Sequence, residues 1–335
     1  MKSLLRALSI TVCTITAAAL SGGTAIGSAQ AQSFQPAIVF DMGGKFDKSF
    51  NEAAYVGAER FKKETGIEYR EFEVTQEAQR EQALRTMARR GANVVVGVGF
   101  AQASAMEKVS QEYPDTKFCI IDSVVERPNV QSFTFKEHEG SFLVGMMAAL
   151  ASKTGKVGFV GGMDIPLIRN FATGYQQGVK HANPQAEIFQ NMTGTTPAAW
   201  RDPTRGGELA KSQMDRGADV IYAAAGGTGI GVLQAVADAK KLSIGVDSNQ
   251  NHLHPGSVLT SMIKRVDVAV YNCMMSAKEG TWAPGSRVLG LKEDAVGYSL
   301  DDDNKALITD DMKQKVEAAK AKIIAGELQV QPYKQ

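Results

Sequence analysis

Histidine and cysteine are scarce in this chain, with four and three residues among 335. Of His138, His181, His252 and His254, only the last two are close in sequence. They flank Leu253 without the helical spacing of a His-Glu-x-x-His zinc site, and read as surface loop residues. There is no Gly-x-Ser-x-Gly nucleophile elbow and no Cys-x-x-Cys pair. The glycine-rich stretch 223–231 lacks the Gly-Lys-Ser/Thr of a phosphate loop, and Gly227-Thr-Gly229 has no third glycine at dinucleotide-binding spacing. No catalytic residue, metal ligand or cofactor site is therefore expected. A charge excess is missing too. Lysine plus arginine total 37 against 36 acidic residues, which argues against a nucleic-acid surface, since that would need a basic excess.

Long apolar runs are absent beyond the N-terminus, so no bilayer span of about 20 residues is expected. The N-terminus has the organisation of an export signal. Lys2 and Arg6 precede a mildly apolar stretch 7–20, and Ala29-Gln30-Ala31 resembles a cleavage site. Cys13 follows Thr11-Val12 and lacks the small residue that precedes a lipidated cysteine. Residues 1–31 are thus expected to be removed, leaving a free, soluble periplasmic chain that starts near Gln32. Two cysteines remain, Cys119 and Cys273. Cys119 lies in an apolar strand-like run, and a buried thiol is expected there in preference to a disulfide, although an oxidising compartment permits one.

The remaining sequence alternates between apolar runs and helix-forming segments. Strands are expected at 37–40, 68–74, 94–100, 117–122 and 130–136. A second set follows at 156–161, 187–192, 220–225, 243–247 and 258–264. Helical segments separate them, including 77–90, 171–182, 202–216 and 229–240. Such alternation predicts an α/β protein with two similar Rossmann-like lobes, each built on a parallel sheet. A further helix at 266–279, one strand at 287–299 and a last helix at 310–324 complete the chain. The lobes are expected to comprise 32–135 with 263–292, and 136–262 with 293–335. Several crossings between them make a hinge, and a hinged cleft can close on a ligand.

The segment Asp41-Met-Gly-Gly-Lys-Phe-Asp-Lys-Ser-Phe-Asn-Glu52 directs attention to that cleft. It begins at the end of a strand, and Ser49 and Glu52 have capping-box spacing. Phe50 and Asn51 then fall in the first turn of a helix, where ligands bind open α/β sheets. An aromatic face beside an amide and carboxylates suits a flat, hydrogen-bonding molecule such as a nucleobase. Asp41, Asp122 and Asp247 each end an apolar run and share one sheet edge, either as helix caps or as ligand contacts. Trp200 sits in the corresponding loop of the second lobe, as a packing anchor or as a second stacking face. Gly226 opens a small-residue turn where a ligand can approach the backbone, or where helices pack closely. Lys264 ends a strand at a crossing, either solvated or directed to sugar hydroxyls with Asp247.

These residues resemble the basic membrane protein family, the purine-nucleoside-receptor type of ABC-transporter substrate-binding protein. The similarity runs through Asp41 to Asn51, Glu139-Gly-Ser-Phe-Leu-Val-Gly145, Gly155-Lys-Val-Gly-Phe-Val-Gly-Gly162, Gly217-Ala-Asp-Val-Ile221, Ala225-Gly226 and Ile244-Gly-Val-Asp-Ser-Asn-Gln250. The resemblance implies a type I periplasmic-binding fold, a nucleoside in the cleft, and delivery to inner-membrane permease subunits by a monomer. It further implies a base sandwiched by Phe50 and Trp200, contacts to the base from Asn51 and Asp122, and a ribose-binding acid at Asp247, with Lys264 nearby and Asp41 heading the first motif. The alternatives are the same fold carrying a free base or vitamin, and a nucleoside hydrolase using Asp41 and Asp47.

Overall fold

The computed structural model describes residues 34–334. Five strands of a first set alternate with helices: β1 (Pro36–Phe40), α1 (Phe50–Thr65), β2 (Arg70–Glu73), α2 (Gln79–Arg89), β3 (Val94–Gly97), α3 (Ala103–Glu112), β4 (Lys117–Ile121) and β5 (Val130–Phe135). The long helix α4 (Glu137–Ala151) leads into a second set. It comprises β6 (Lys156–Met163), α5 (Pro166–Ala182), β7 (Glu187–Gly194), α6 (Pro203–Asp215), β8 (Val220–Ala224), α7 (Thr228–Asp238), β9 (Leu242–Asp247) and β10 (Val258–Lys264). The chain ends with α8 (Val266–Glu279), β11 (Gly285–Leu289), β12 (Val296–Tyr298) and α9 (Asp310–Ala325).

Each set forms a six-stranded sheet. Their strand orders are β11-β5-β4-β3-β1-β2 and β12-β10-β9-β8-β6-β7, so the two lobes share one winding. All pairings are parallel except β12 on β10. The strand order reverses beside β1 in the first sheet and beside β6 in the second, and a doubly wound sheet offers its ligand crevice at that switch point. Helices cover both faces, which explains the unbroken apolar runs: every residue of β1 is buried. One apolar cluster extends from Ile38 and Phe40 through Leu143 and Met147 of α4 to Phe159 and Tyr222. Each lobe also has its own outer cluster. The chain passes between the sheets after β5, after β10 and between β11 and β12.

Two expectations need correction. The single strand at 287–299 is two strands, β11 and β12, in different sheets. A turn separates them, with Asp294 in the left-handed region and Ala295 N–H donating to Gly290 O. The reduced thiol is also replaced: Cys119 and Cys273 form a disulfide, with Cα atoms 6.5 Å apart. Both are fully buried, as expected for Cys119. Its partner comes from α8, which returns to the first lobe and packs on α1 and β4.

Candidate functional site

A cleft lies where the strand ends of the two sheets face each other. Its lining includes Asp41, Phe50, Asn51, Asp122, Trp200, Gly226, Asp247 and Lys264, so the structure brings all eight sequence candidates together. Asp47, Phe100, Leu167 and Phe171 line it as well. Phe100 sits in a short helical turn after β3, and Leu167 and Phe171 lie in the first turns of α5. These apolar side chains carry no sequence signal that separates them from core residues.

The loop after β1 is held from within. Asp41 is paired with Arg80 of α2, whose Nε and one terminal nitrogen each lie 3.0 Å from Oδ1. Burial raises the Asp41 carboxyl above its ordinary range, and Arg80 only partly offsets this. The Asn51 amide folds back on the same loop. Its Oδ1 accepts from Asp41 N–H, while its Nδ2 donates to Asp41 O and to Asp47 Oδ2, all at 3.3 Å. The expected capping box does not form, because Ser49 faces the second lobe. Asp47 takes over the capping role: its carboxylate accepts from the N–H groups of Ser49, Asn51 and Glu52 at 2.8–3.1 Å. The Glu52 carboxylate accepts from Lys48 N–H instead.

Ser49 Oγ donates to Asp247 Oδ2 at 2.5 Å, Ser248 Oγ donates to Ser49 O at 2.9 Å, and Gln250 Nε2 donates to Lys48 O at 2.9 Å. These bonds join the loop after β1 to the loop after β9, so the lobes are in a closed arrangement. Asp122 and Asp247 occupy matching places after β4 and at the end of β9. Both have left-handed backbones, with φ of 68° and 64°, a conformation aspartate tolerates better than most residues.

Lys264 is not solvated. Its ammonium lies 2.7 Å from both oxygens of Asp122 and 3.2 Å from Glu137 Oε1. The three side chains are 5% exposed or less. Burial alone would lower the Lys264 pKa, but Asp122, Glu137 and Asp247 together raise it above the ordinary lysine value. Burial raises Glu137, with Lys264 opposing. The rings of Phe50, Phe135 and Phe171 surround the same ammonium with centroids 4.9–5.5 Å away, which adds cation–π attraction.

Trp200 ends a short helical turn after β7 and packs against the β6 strand end. A Cβ on Gly162 would fall 2.1 Å from the indole Cζ3, so only glycine leaves room there. The indole also passes over Gly226, whose φ of 55° turns the chain after β8. The tryptophan is thus a packed, partly exposed wall of the cleft, contributed by the second lobe.

Burial pushes the carboxyls of Asp47 and Asp247 each up to about 6. Between about pH 4 and 6 the folded protein holds protons that the unfolded chain releases, so these groups make stability fall as pH rises through that window. Asp247→Asn is expected to remove Asp247's share, on the order of 1–3 kcal/mol, from the stability difference between pH 4 and 6.5. Denaturant melts at both pH values check this. An unchanged difference would assign the slope to other groups.

A family model described as "ABC transporter substrate-binding protein PnrA-like" matches residues 34–334. A Lactococcus lactis relative described as "ABC transporter nucleoside-binding protein BmpA" is 31% identical, over 88% of this chain and 88% of its own. A relative from Pyrococcus abyssi, described as an uncharacterized lipoprotein, is 36% identical over 87% of this chain and 75% of its own. A crystal structure of an ABC transporter system solute-binding protein from Aeropyrum pernix superposes with a TM-score of 0.82 at 32% identity, covering 90% of this chain and 94% of that one. The two lobes share the type I periplasmic-binding fold with these solute-binding proteins. The expected export signal lies outside the described residues. Among the described residues no helix is long and apolar enough to cross a membrane.

Proposed function

Because the chain belongs to the family of PnrA-like ABC-transporter substrate-binding proteins, we propose that its cleft binds a purine nucleoside and delivers it to the permease subunits of an importer. The observation that carries this reading is the composition of the cleft. Phe50 from the first lobe, Trp200 from the second and the carboxylates of Asp122 and Asp247 line one cleft. In this reading the base stacks on the two aromatic rings and its N–H groups donate to Asp122. The sugar hydroxyls donate to Asp247. Asn51 is committed to the Asp41 loop and acts by holding Phe50 in place. The relative described as nucleoside-binding supports the ligand class.

Closure follows from differential affinity. The ligand contacts both lobes only when they are together, so it favours the closed state by the difference between its two affinities. Purine nucleosides at one hundred times Kd are expected to stabilise the protein by about 2.7 kcal/mol. Base stacking on an aromatic side chain contributes about 1–3 kcal/mol, so Phe50→Ala and Trp200→Ala should each weaken binding by that amount. Thermal shift and calorimetry against nucleosides, free bases and sugars provide the test. A shift with a free base or vitamin but none with nucleosides would favour the second solute class, and unchanged affinity in both variants would sink the aromatic clamp.

Mass spectrometry of the purified protein reads any co-purified ligand. The same spectrum reports whether the mature chain begins near Gln32 without a lipid, as the proposal of a free periplasmic protein requires. A hydrolase is disfavoured because its two carboxylates are occupied. Asp41 is paired with Arg80, and Asp47 accepts three backbone N–H groups.

A further inference from the structure

The first strand–turn–helix unit of a Rossmann-like lobe normally offers its helix N-terminus to a phosphate, because unpaired N–H groups and the helix dipole converge there. In this chain that seat is filled from within. Asp47 Oδ1 accepts from Ser49 N–H at 2.8 Å and from Glu52 N–H at 3.1 Å, and Oδ2 accepts from Asn51 N–H at 3.1 Å. The side chain is fixed in that pose: the residue is 6% exposed, and the Asn51 amide bonds the same oxygen. A carboxylate has a phosphate's charge sign and acceptor oxygens, so it meets the requirements of the helix end by itself.

The rest of the cleft offers a phosphate little compensation. Among the described residues four carboxylates line it, those of Asp41, Asp47, Asp122 and Asp247, and one cation, Lys264. That ammonium is already shared between Asp122 and Glu137. The cations on and beside this loop are engaged too: Arg80 by Asp41, Lys45 by Glu71 and Lys48 by Glu52. Ser49 links Asp47 to Asp247, its N–H donating to Asp47 Oδ1 at 2.8 Å and its hydroxyl to Asp247 Oδ2 at 2.5 Å. A sugar phosphate near Asp247 would therefore meet like charge where a bare sugar hydroxyl meets an acceptor.

We propose that Asp47 is a specificity-determining residue: its carboxylate stands in the phosphate seat of the first lobe and makes the cleft select nucleosides over nucleotides. The inference rests on the nucleoside reading above and adds to it the exclusion of the phosphorylated ligand. It also implies that a phosphomonoester-cleaving reaction outside the membrane must precede capture when the available source is a nucleotide.

The test compares adenosine, guanosine and inosine with their 5′-monophosphates by calorimetry. Wild-type protein is expected to prefer the nucleoside by at least about 100-fold, since a rejected charge costs several kcal/mol. In Asp47→Gly and Asp47→Asn the readout is the ratio of the two affinities, whatever happens to each alone, with the fold checked by circular dichroism. The ratio is expected to fall at least tenfold, while Asp47→Glu keeps the wild-type preference. Wild-type protein that binds both forms within tenfold overturns the proposal and leaves the nucleoside reading standing. Wild-type protein that binds no nucleoside overturns that reading and this one with it. A folded Asp47→Asn with the wild-type ratio, or one that loses both ligands, overturns the selectivity role.

Discussion

Removal of the Cys119–Cys273 disulfide is expected to lower the melting temperature by roughly 5–15 °C, from a loss of about 2–5 kcal/mol. The bond joins residues 154 apart in sequence, and the loop it closes contains most of the second lobe. Constraint of the unfolded chain grows with loop length, which places this bond toward the upper part of the range. The bond also fixes α8, which reaches the first lobe only after the chain has built β6 to β10. Both sulfurs are fully buried, so a reductant should act only when the first lobe opens. The expected results are a lower melting temperature for Cys119→Ala/Cys273→Ala and slow reduction that low denaturant accelerates. Trp282 donates its indole N–H to Cys119 Sγ at 3.4 Å, so fluorescence follows the same event. A melting temperature within about 2 °C of wild type, with thiols confirmed absent, would show that packing alone holds α8 in place.

The disulfide also marks the limit of what the sequence discloses. The strands of both sheets are legible because helices cover both faces, so each strand is one apolar run such as Val94-Val-Val-Gly97. The strand-end aspartates are legible for a related reason. Parallel strands carry their C-termini to one edge, so Asp41 and Asp122 share the edge of the first sheet, and Asp247 lies at the corresponding edge of the second, on the same cleft. Edge strands are less visible. β11 is exposed along four of its five residues, and nothing in its pattern separates it from β12. Helix α4 is buried at eleven of its fifteen positions and has almost no polar face to give it a period.

Partnerships are the least visible feature. Arg80 reaches Asp41 from a helix 39 residues on, and Lys264 meets Asp122 across 142 residues. Neither pairing has a local motif. The sequence places the carboxylates at the cleft, but their chemistry depends on which are already engaged. That distinction divides the site. Asp41, Asp47 and Asn51 are bonded within the loop that carries Phe50, whereas Asp122 and Asp247, held by Lys264 and Ser49, are the carboxylates proposed to receive a ligand.

Lys264→Met is expected to destabilise the protein by about 3–5 kcal/mol, because it strands two carboxylates in the interior. Asp122 and Glu137 have side chains 5% and 2% exposed, and Lys264 is the cation between them. The attraction between these charges offsets the cost of burying them only while all three are present. Without Lys264 the two carboxylates are left as buried like charges. Burial raises Glu137 and Lys264 opposes it, so in the variant Glu137 stays protonated to higher pH and stability should fall more steeply than wild type as pH rises above the ordinary glutamate range. Neutralising the survivors tests the cause directly. Lys264→Met/Asp122→Asn/Glu137→Gln should recover most of the loss, since neutral amides leave no stranded charge. Denaturant melts of the single and triple variants decide the matter. A single variant within about 1 kcal/mol of wild type would refute the ion cluster as a structural element. A triple variant no more stable than the single would assign the loss to packing against Phe50, Phe135 and Phe171. The position of the cluster gives this result a functional reading. Lys264 ends the last strand before the chain returns to the first lobe, and Glu137 opens the helix that follows the first crossing. Asp122 stands between them at the cleft wall, so the pairing that stabilises the hinge also orients the carboxylate proposed to receive the base.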